Sequence, residues 1–280
     1  MTKIPFLKAH GVKNDFLLTP AAQLPAGIAL DEAARAICDR HTGIGADGWL
    51  HVGDKDPEAD GAIKLFNSDG SVAEISGNGT RCAAAYLIHR GLQGDSVRIR
   101  TGAGIKNLRL LSREGARFMF EMDMGAPEIR ELHFALPLSS GPRDVTEVWV
   151  GNPQCAVPVD DFEFDWVAMG AEIEQHAHFP HRTNVSFFRA LDPHNLEVRF
   201  YERGAGETMS SGTGSTGAVA AAISRQMARS PVVVQTPAGP LNLRWDTGLA
   251  REITLTGPVE IIAEGSFYYE KMDSNGHRTT

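Results

Sequence analysis

The chain has 280 residues, 42% of them hydrophobic and 22% charged, with a formal net charge of -8. That is the composition of a soluble globular protein long enough for two ordinary domains, so no disulfide or metal staple is needed. The acidic balance, with no Lys/Arg cluster beyond isolated pairs, argues against nucleic acid or an acidic membrane surface as partner and leaves a small molecule as the expected one.

Met1-Thr-Lys-Ile-Pro-Phe-Leu-Lys has no apolar signal core and no stretch reaches the length of a membrane span, so a cytoplasmic location is expected. Residues 3–8 alternate as a strand, and His10-Gly-Val-Lys-Asn14-Asp is a polar turn into the strand Phe16-Leu-Leu. Asp31 to Arg40 has the acidic start and apolar spacing of an amphipathic helix, stopped by Thr42-Gly-Ile-Gly-Ala-Asp-Gly48. That segment matches G-x-G-x-x-G, but a helix precedes it and a strand follows, the reverse of a dinucleotide site, so it reads as a structural turn. Asp54 to Gly61 lacks the glycine and terminal glutamate of a calcium loop and reads as a solvated acidic turn.

Ala62-Ile-Lys-Leu-Phe is a strand delivering Asn67 to Ser76-Gly-Asn-Gly, which runs straight into an Ala-rich helix from Cys82. Strands at 96–100, 105–111 and 117–122 follow as a meander, and composition shifts at Gly125-Ala-Pro-Glu. The second half repeats the plan. Strands near 145–150, 157–159, 184–188 and 196–201, with a short helix at 166–176, lead to Ser211-Gly-Thr-Gly, a second Ala-rich helix, and strands at 232–235, 239–245 and 252–257. The recurrence, with Ser76 and Ser211 in register, indicates an internal duplication. It predicts two lobes: residues 1–124, with 259–280 returning to them, and residues 125–258. The polar end from Lys271 is expected to fray.

Two serines thus stand just ahead of two buried helix N-termini, whose free N–H groups can receive an anion between them. The candidate donors are the N–H groups of Gly77 and Asn78 on one side and of Gly212 and Thr213 on the other. The three cysteines, Cys38, Cys82 and Cys155, show no C-x-x-C spacing, and Cys82 is expected in the core. His176, His178 and His181 have no carboxylate or thiol at ligand spacing and read as a surface loop, with no metal expected.

Taken together, His10 to Phe16, Cys38 to Gly48, Asn67-Ser-Asp-Gly-Ser, Gly77 to Cys82, Gly151-Asn-Pro, Asn184-Val and Glu202-Arg-Gly-Ala-Gly-Glu-Thr resemble the diaminopimelate epimerase family over essentially the whole chain. The resemblance implies an α+β fold of two similar lobes, each an antiparallel strand set curled around a central helix. It implies a cofactor-independent epimerase that inverts the α-carbon of LL- or meso-diaminopimelate in lysine and cell-wall precursor biosynthesis, without pyridoxal phosphate. It further implies that Asn14, Asn67, Asn152, Asn184, Glu202 and Arg203 hold the substrate, and that homodimers form. Such chemistry needs a base on one face of the α-carbon, an acid on the other, and charge stabilisation at the carboxylate.

Two departures bear on activity. Ser76 and Ser211 stand where the family has its catalytic cysteines, and Gln154 where it usually has a histidine. A thiol titrates near about 8.5 and an alcohol several units higher, each unit costing about 1.4 kcal/mol. The Ser pair is therefore expected to be weak or inactive unless a neighbouring base activates it, and Glu202 and Glu207 are the only nearby carboxylates by motif. The paired exchange reads either as a deliberately disarmed form or as a natural variant. The alternatives are a superfamily isomerase or racemase with another substrate, and a non-catalytic amino-acid-binding protein.

Overall fold

The computed structural model describes residues 2–246 and 252–270. The first half runs β1 (Thr2–Gly11), β2 (Asn14–Pro20), α1 (Leu30–Cys38), β3 (Gly48–Gly53), β4 (Gly61–Asn67), β5 (Val72–Ala73), α2 (Gly77–His89), β6 (Ser96–Thr101), β7 (Gly104–Glu114) and β8 (Arg117–Asp123). The second runs β9 (Glu128–Leu136), β10 (Arg143–Trp149), β11 (Pro153–Pro158), α3 (Trp166–Glu174), β12 (Asn184–Asp192), β13 (Asn195–Glu202), β14 (Gly206–Thr208), α4 (Gly212–Ser224), β15 (Val232–Thr236), β16 (Gly239–Arg244) and β17 (Thr254–Tyr269). This is an α+β fold of two similar lobes, each a curled strand set around one central helix.

The duplication is visible in the pairing. In the first lobe β2 lies parallel to β3, and β4 is antiparallel to β3 and β5 and parallel to β6. In the second, β11 lies parallel to β12, and β13 is antiparallel to β12 and β14 and parallel to β15. The lobes are stitched by β17, which pairs through Thr254–Thr256 with β16, through Thr254–Glu260 with β8 and through Glu260–Tyr269 with β1. The expected divide after Met124 falls between β8 and β9, and the expected return from 259 begins inside β17. Lys271 to Thr280, expected to fray, lie outside the described residues.

Each central helix is buried on every side. In α2, Cys82 and Ala83–Ala85 have no exposed surface, nor do Ala218–Ala222 in α4. Small side chains over these turns let the strands close in around each helix. Large residues from the strands, such as Phe120 and Phe200, fill the space and contribute about 1.5–3 kcal/mol each.

The two helices have matching starts. Ser76 and Ser211 are extended N-caps whose hydroxyls accept from the N–H groups of Gly79 and Gly214, a contact typically worth about 1 kcal/mol. The helix ends then touch backbone to backbone. A Cβ on Gly77 would lie 3.1 Å from Cα of Gly212, and one on Gly212 would lie 3.0 Å from Cα of Gly77. Neither position admits a side chain unless the helices part. Gly77→Ala and Gly212→Ala are each expected to lower the unfolding free energy in denaturant melts by about 1–3 kcal/mol. Gly53→Ala, whose Cβ would make ordinary contact at 3.6 Å, should stay within about 0.5 kcal/mol.

Candidate active site

A cleft lies beside the point where α2 meets α4, with Ser76, the N-cap of α2, in its wall. Its 40 Å³ cavity is lined by Asn14, Asp47, Asn67, Ser76, Asn184, Glu202, Arg203 and Thr208, over an apolar floor that includes Phe16 and Ile75. The strand plan explains the convergence, because these polar residues lie at or beside the ends of strands aimed at the helix N-termini. Asn14 opens β2, Asp47 precedes β3, Asn67 ends β4, Asn184 opens β12 and Glu202 ends β13.

Ser211 is buried directly behind Glu202. Its hydroxyl donates to Glu202 Oε2 at 2.8 Å while its oxygen accepts from Gly214 N–H at 3.1 Å. Thr208 donates to the other carboxylate oxygen at 2.7 Å. Burial raises the Glu202 pKa above the ordinary carboxylate range, against the opposing pull of these two hydroxyls. Ser76 is also an N-cap, accepting from Gly79 N–H at 3.1 Å, but among the described residues no carboxylate receives its proton. The two serines occupy equivalent places in different electrostatic settings.

The asparagines are held rather than loose. Asn78 donates to Asn14 Oδ1 at 3.0 Å and to the Ser210 carbonyl of the other lobe at 3.3 Å. Asn14 in turn donates to Asp47 at 2.7 Å. Asn184 donates to the Pro153 carbonyl at 3.0 Å and accepts from the Arg203 N–H at 3.1 Å. Asn152 is buried and accepts from Gln154 at 2.7 Å, with a long 3.5 Å contact to Thr213. Asn67 bonds Ser71 at 3.0 Å. The Arg203 guanidinium is paired with Glu74 across the lobes and also donates to the His181 carbonyl.

The sequence model of the family described as diaminopimelate epimerase matches residues 6–129 and 146–262. The chain belongs to the diaminopimelate epimerase family. It is 37% identical over 279 residues to the diaminopimelate epimerase of Pelotomaculum thermopropionicum, covering 94% of this chain and 99% of that protein. It is 35% identical over 285 residues to that of Cupriavidus pinatubonensis, covering 94% and 97%. Among solved structures, a probable proline racemase from Agrobacterium radiobacter K84 aligns at TM-score 0.74 and 16% identity over 94% of this chain and 92% of its own. A hydroxyproline epimerase from Agrobacterium vitis aligns at TM-score 0.72 and 16% identity over 95% and 91%. These two share the fold.

Of the residues named from sequence, Asn14, Asn67, Ser76, Asn184, Glu202 and Arg203 line the cleft together. Gly77, Asn78, Asn152, Ser211, Gly212 and Thr213 stand around or behind it in the contacts described above. Sequence reasoning missed Asp47, Thr208 and Glu74. Asp47 is pushed up in pKa by burial and by its neighbour Asp15. It sits in the Gly-rich turn already quoted as part of the family pattern, so a signal was present. A sharper signal lies in the spacing: Asn67 stands nine residues before Ser76 and Glu202 nine before Ser211, which places them at equivalent points of the duplication. Glu207, an alternative carboxylate by motif, is exposed. Cys82 is fully buried, with its thiol pushed up to about 12 by burial, and burial also raises Cys155. Among the described residues no group of His, Cys, Asp and Glu is arranged to hold a metal ion, and no helix is long and apolar enough to cross a membrane.

The raised pKa of Glu202 carries a stability consequence. Relative to the unfolded chain, its protonation stabilises the fold fully below the unfolded value, and that gain is lost as pH rises through the folded value. Glu202→Gln, a permanently neutral isostere, should therefore raise the melting temperature more at about pH 7 than at about pH 4. Calorimetry at both values tests this; an equal shift at the two would mean that the carboxylate bears no burial penalty.

Proposed function

We propose that the chain deprotonates the α-carbon of a diaminopimelate-type amino acid from the Ser211 face, with Glu202 as the base acting through the Ser211 hydroxyl. The observation that carries this reading is the 2.8 Å hydrogen bond from Ser211 to a half-buried carboxylate whose pKa is raised by desolvation. A carboxylate with elevated pKa in a dry site is a stronger base than one in water. Serine alone is too weak an acid to serve as a thiolate substitute, but a serine hydrogen-bonded to such a carboxylate can pass the proton on.

The charge that builds on the substrate carboxylate is received by the N–H groups of Gly77 and Asn78 and of Gly212 and Thr213. They converge because the two helix ends touch. Asn14, Asn67, Asn152, Asn184 and Arg203 position the amino and carboxylate groups. Arg203 can grip a carboxylate in a bidentate manner once it leaves Glu74. A molecule of that size needs more than the 40 Å³ cavity, and release of Arg203 from Glu74 would enlarge it.

The opposite face is handicapped. Ser76 can donate its proton to a carbanion, but among the described residues no acid is hydrogen-bonded to it to give one back, so an alkoxide would be left. Inversion is therefore slow, whereas removal and return of the proton on the Ser211 face needs no alkoxide at Ser76. In deuterated water the chain should wash the α-proton out of diaminopimelate faster than it inverts the centre, by about tenfold or more, since each pKa unit of mismatch is about tenfold. Proton and mass analysis of recovered substrate measures both rates. Glu202→Gln should cut exchange by about 10²–10⁴, and Ser76→Cys with Ser211→Cys should bring inversion up to the rate of exchange. Diaminopimelate that binds the double-cysteine form without exchanging would show the epimerase reading to be wrong. Failure to bind it at all would point to a different substrate within the same chemistry.

A further inference from the structure

The cations around the cleft are nearly all neutralised. Arg203 is held by Glu74, Arg40 by Asp15 at 2.8 Å and Asp47 at 2.7 Å, and Lys8 by Asp15 at 3.0 Å. Arg81 is different. It lies in the second turn of α2 with no exposed surface, and its guanidinium meets only neutral groups. Nη1 donates to the Gly77 carbonyl at 3.4 Å and Nη2 to Asn78 Oδ1, while Nε has no partner. Among the described residues no carboxylate pairs with it. Burial lowers its pKa to about 10, which leaves it charged at neutral pH.

This is a built slot. A Cβ on Gly11, at the end of β1, would lie 3.2 Å from Arg81 Nη2, and one on Gly257, in β17, would lie 3.0 Å from it. Neither glycine has the positive φ that would call for glycine on backbone grounds; a side chain at Gly11 would meet the guanidinium together with Asn78, and one at Gly257 the guanidinium together with Leu241. Both strands thus approach the guanidinium with backbone alone.

A buried charge without a counter-ion is costly and is retained where something else compensates it. Arg81 folds back onto the first turn of α2, so its charge adds to that of the free N–H groups there. It also fixes Asn78. With Oδ1 taken by Arg81, the Asn78 amide must offer its N–H groups to Asn14 and, across the lobes, to the Ser210 carbonyl.

We propose that Arg81 is a positioning residue whose unpaired charge, acting through Asn78 and the Gly77 backbone, makes the N-terminus of α2 the dominant anion site of the cleft. The substrate carboxylate then serves as its missing counter-ion, most strongly as proton removal loads that carboxylate with charge. The proposal rests on the reading that the cleft takes an amino-acid carboxylate, and adds the source of the positive potential.

A cysteine at the N-cap reports that potential directly. In a Ser76→Cys protein, the thiolate pKa is read from its ultraviolet absorbance as pH is raised. The other charged groups at the cleft, Asp47, Glu202 and the Arg203–Glu74 pair, are unchanged throughout. Adding Arg81→Met or Arg81→Gln should raise the thiolate pKa by about one unit, a tenfold loss of thiolate at a given pH. Arg81→Lys, which keeps the charge and loses the fork, should raise it much less. A folded Met or Gln variant with the reporter's pKa unmoved overturns the proposal, because a merely structural arginine would change the melting temperature and leave the thiolate alone. Should neither neutral variant fold, the unsubstituted chain decides. The Arg81 Nε–H resonance, assigned by its loss in Arg81→Lys, should move on titration with acetate and stay in place with acetamide. No movement with acetate, or equal movement with both, overturns it. Neither readout uses diaminopimelate, so a wrong substrate and a wrong role for Arg81 give different results.

Discussion

Two positively polarised helix ends pressed together are the constraint on which this molecule depends. Each N-terminus carries the equivalent of roughly half a positive charge, and Gly77 and Gly212 bring two of them into backbone contact. Left to themselves they repel. They are held there because each helix is locked inside its own curled strand set by a core of alanines that leaves no room to slide. The cost is borne by packing, and the return is a place where an anion is more welcome than water. Strained or repulsive arrangements of this kind persist at functional sites because the rest of the fold over-determines them.

Duplication made the two halves of that place, and divergence made them unequal. The same strand end that carries Asn67 in the first lobe carries Glu202 in the second, so one N-cap serine has a half-buried carboxylate at hydrogen-bonding distance and the other, among the described residues, does not. An epimerase must work on both faces of a carbon, and symmetry of architecture supplies the two faces. The chemistry on each is decided by single side chains. With a serine at both positions, the two sites differ by a carboxylate or an amide nine residues upstream, and on the function proposed above that difference sets which face takes a proton.

Much of this was legible before any coordinates. The twin Ser-Gly-x-Gly turns, the Ala-rich helices behind them and the meanders after them were readable because turn chemistry and helix composition are local. The strand β9 was not read, although Glu128 to Leu136 alternates, because its mostly exposed residues and the preceding Gly125-Ala-Pro look like a junction. Nor was β17 read as one sixteen-residue strand, since the glycine and proline at 257 and 258 read as a break. There they pair with Phe120 and Met119 of β8 instead. The settings of Glu74 and Arg81 are not legible for a different reason. Glu74 has its partner, Arg203, far away in sequence, and Arg81 has no counter-ion among the described residues, and only the fold discloses either. Asn67 and Glu202 could have been matched by counting back from the serines.

The central claim is that both helix N-termini form a single carboxylate site. The amide resonances of Gly77, Asn78, Gly212 and Thr213, followed during titration with diaminopimelate, test it most directly. The account predicts that all four move along one saturation curve with one dissociation constant. Movement confined to one lobe, or two lobes saturating at different concentrations, would contradict it.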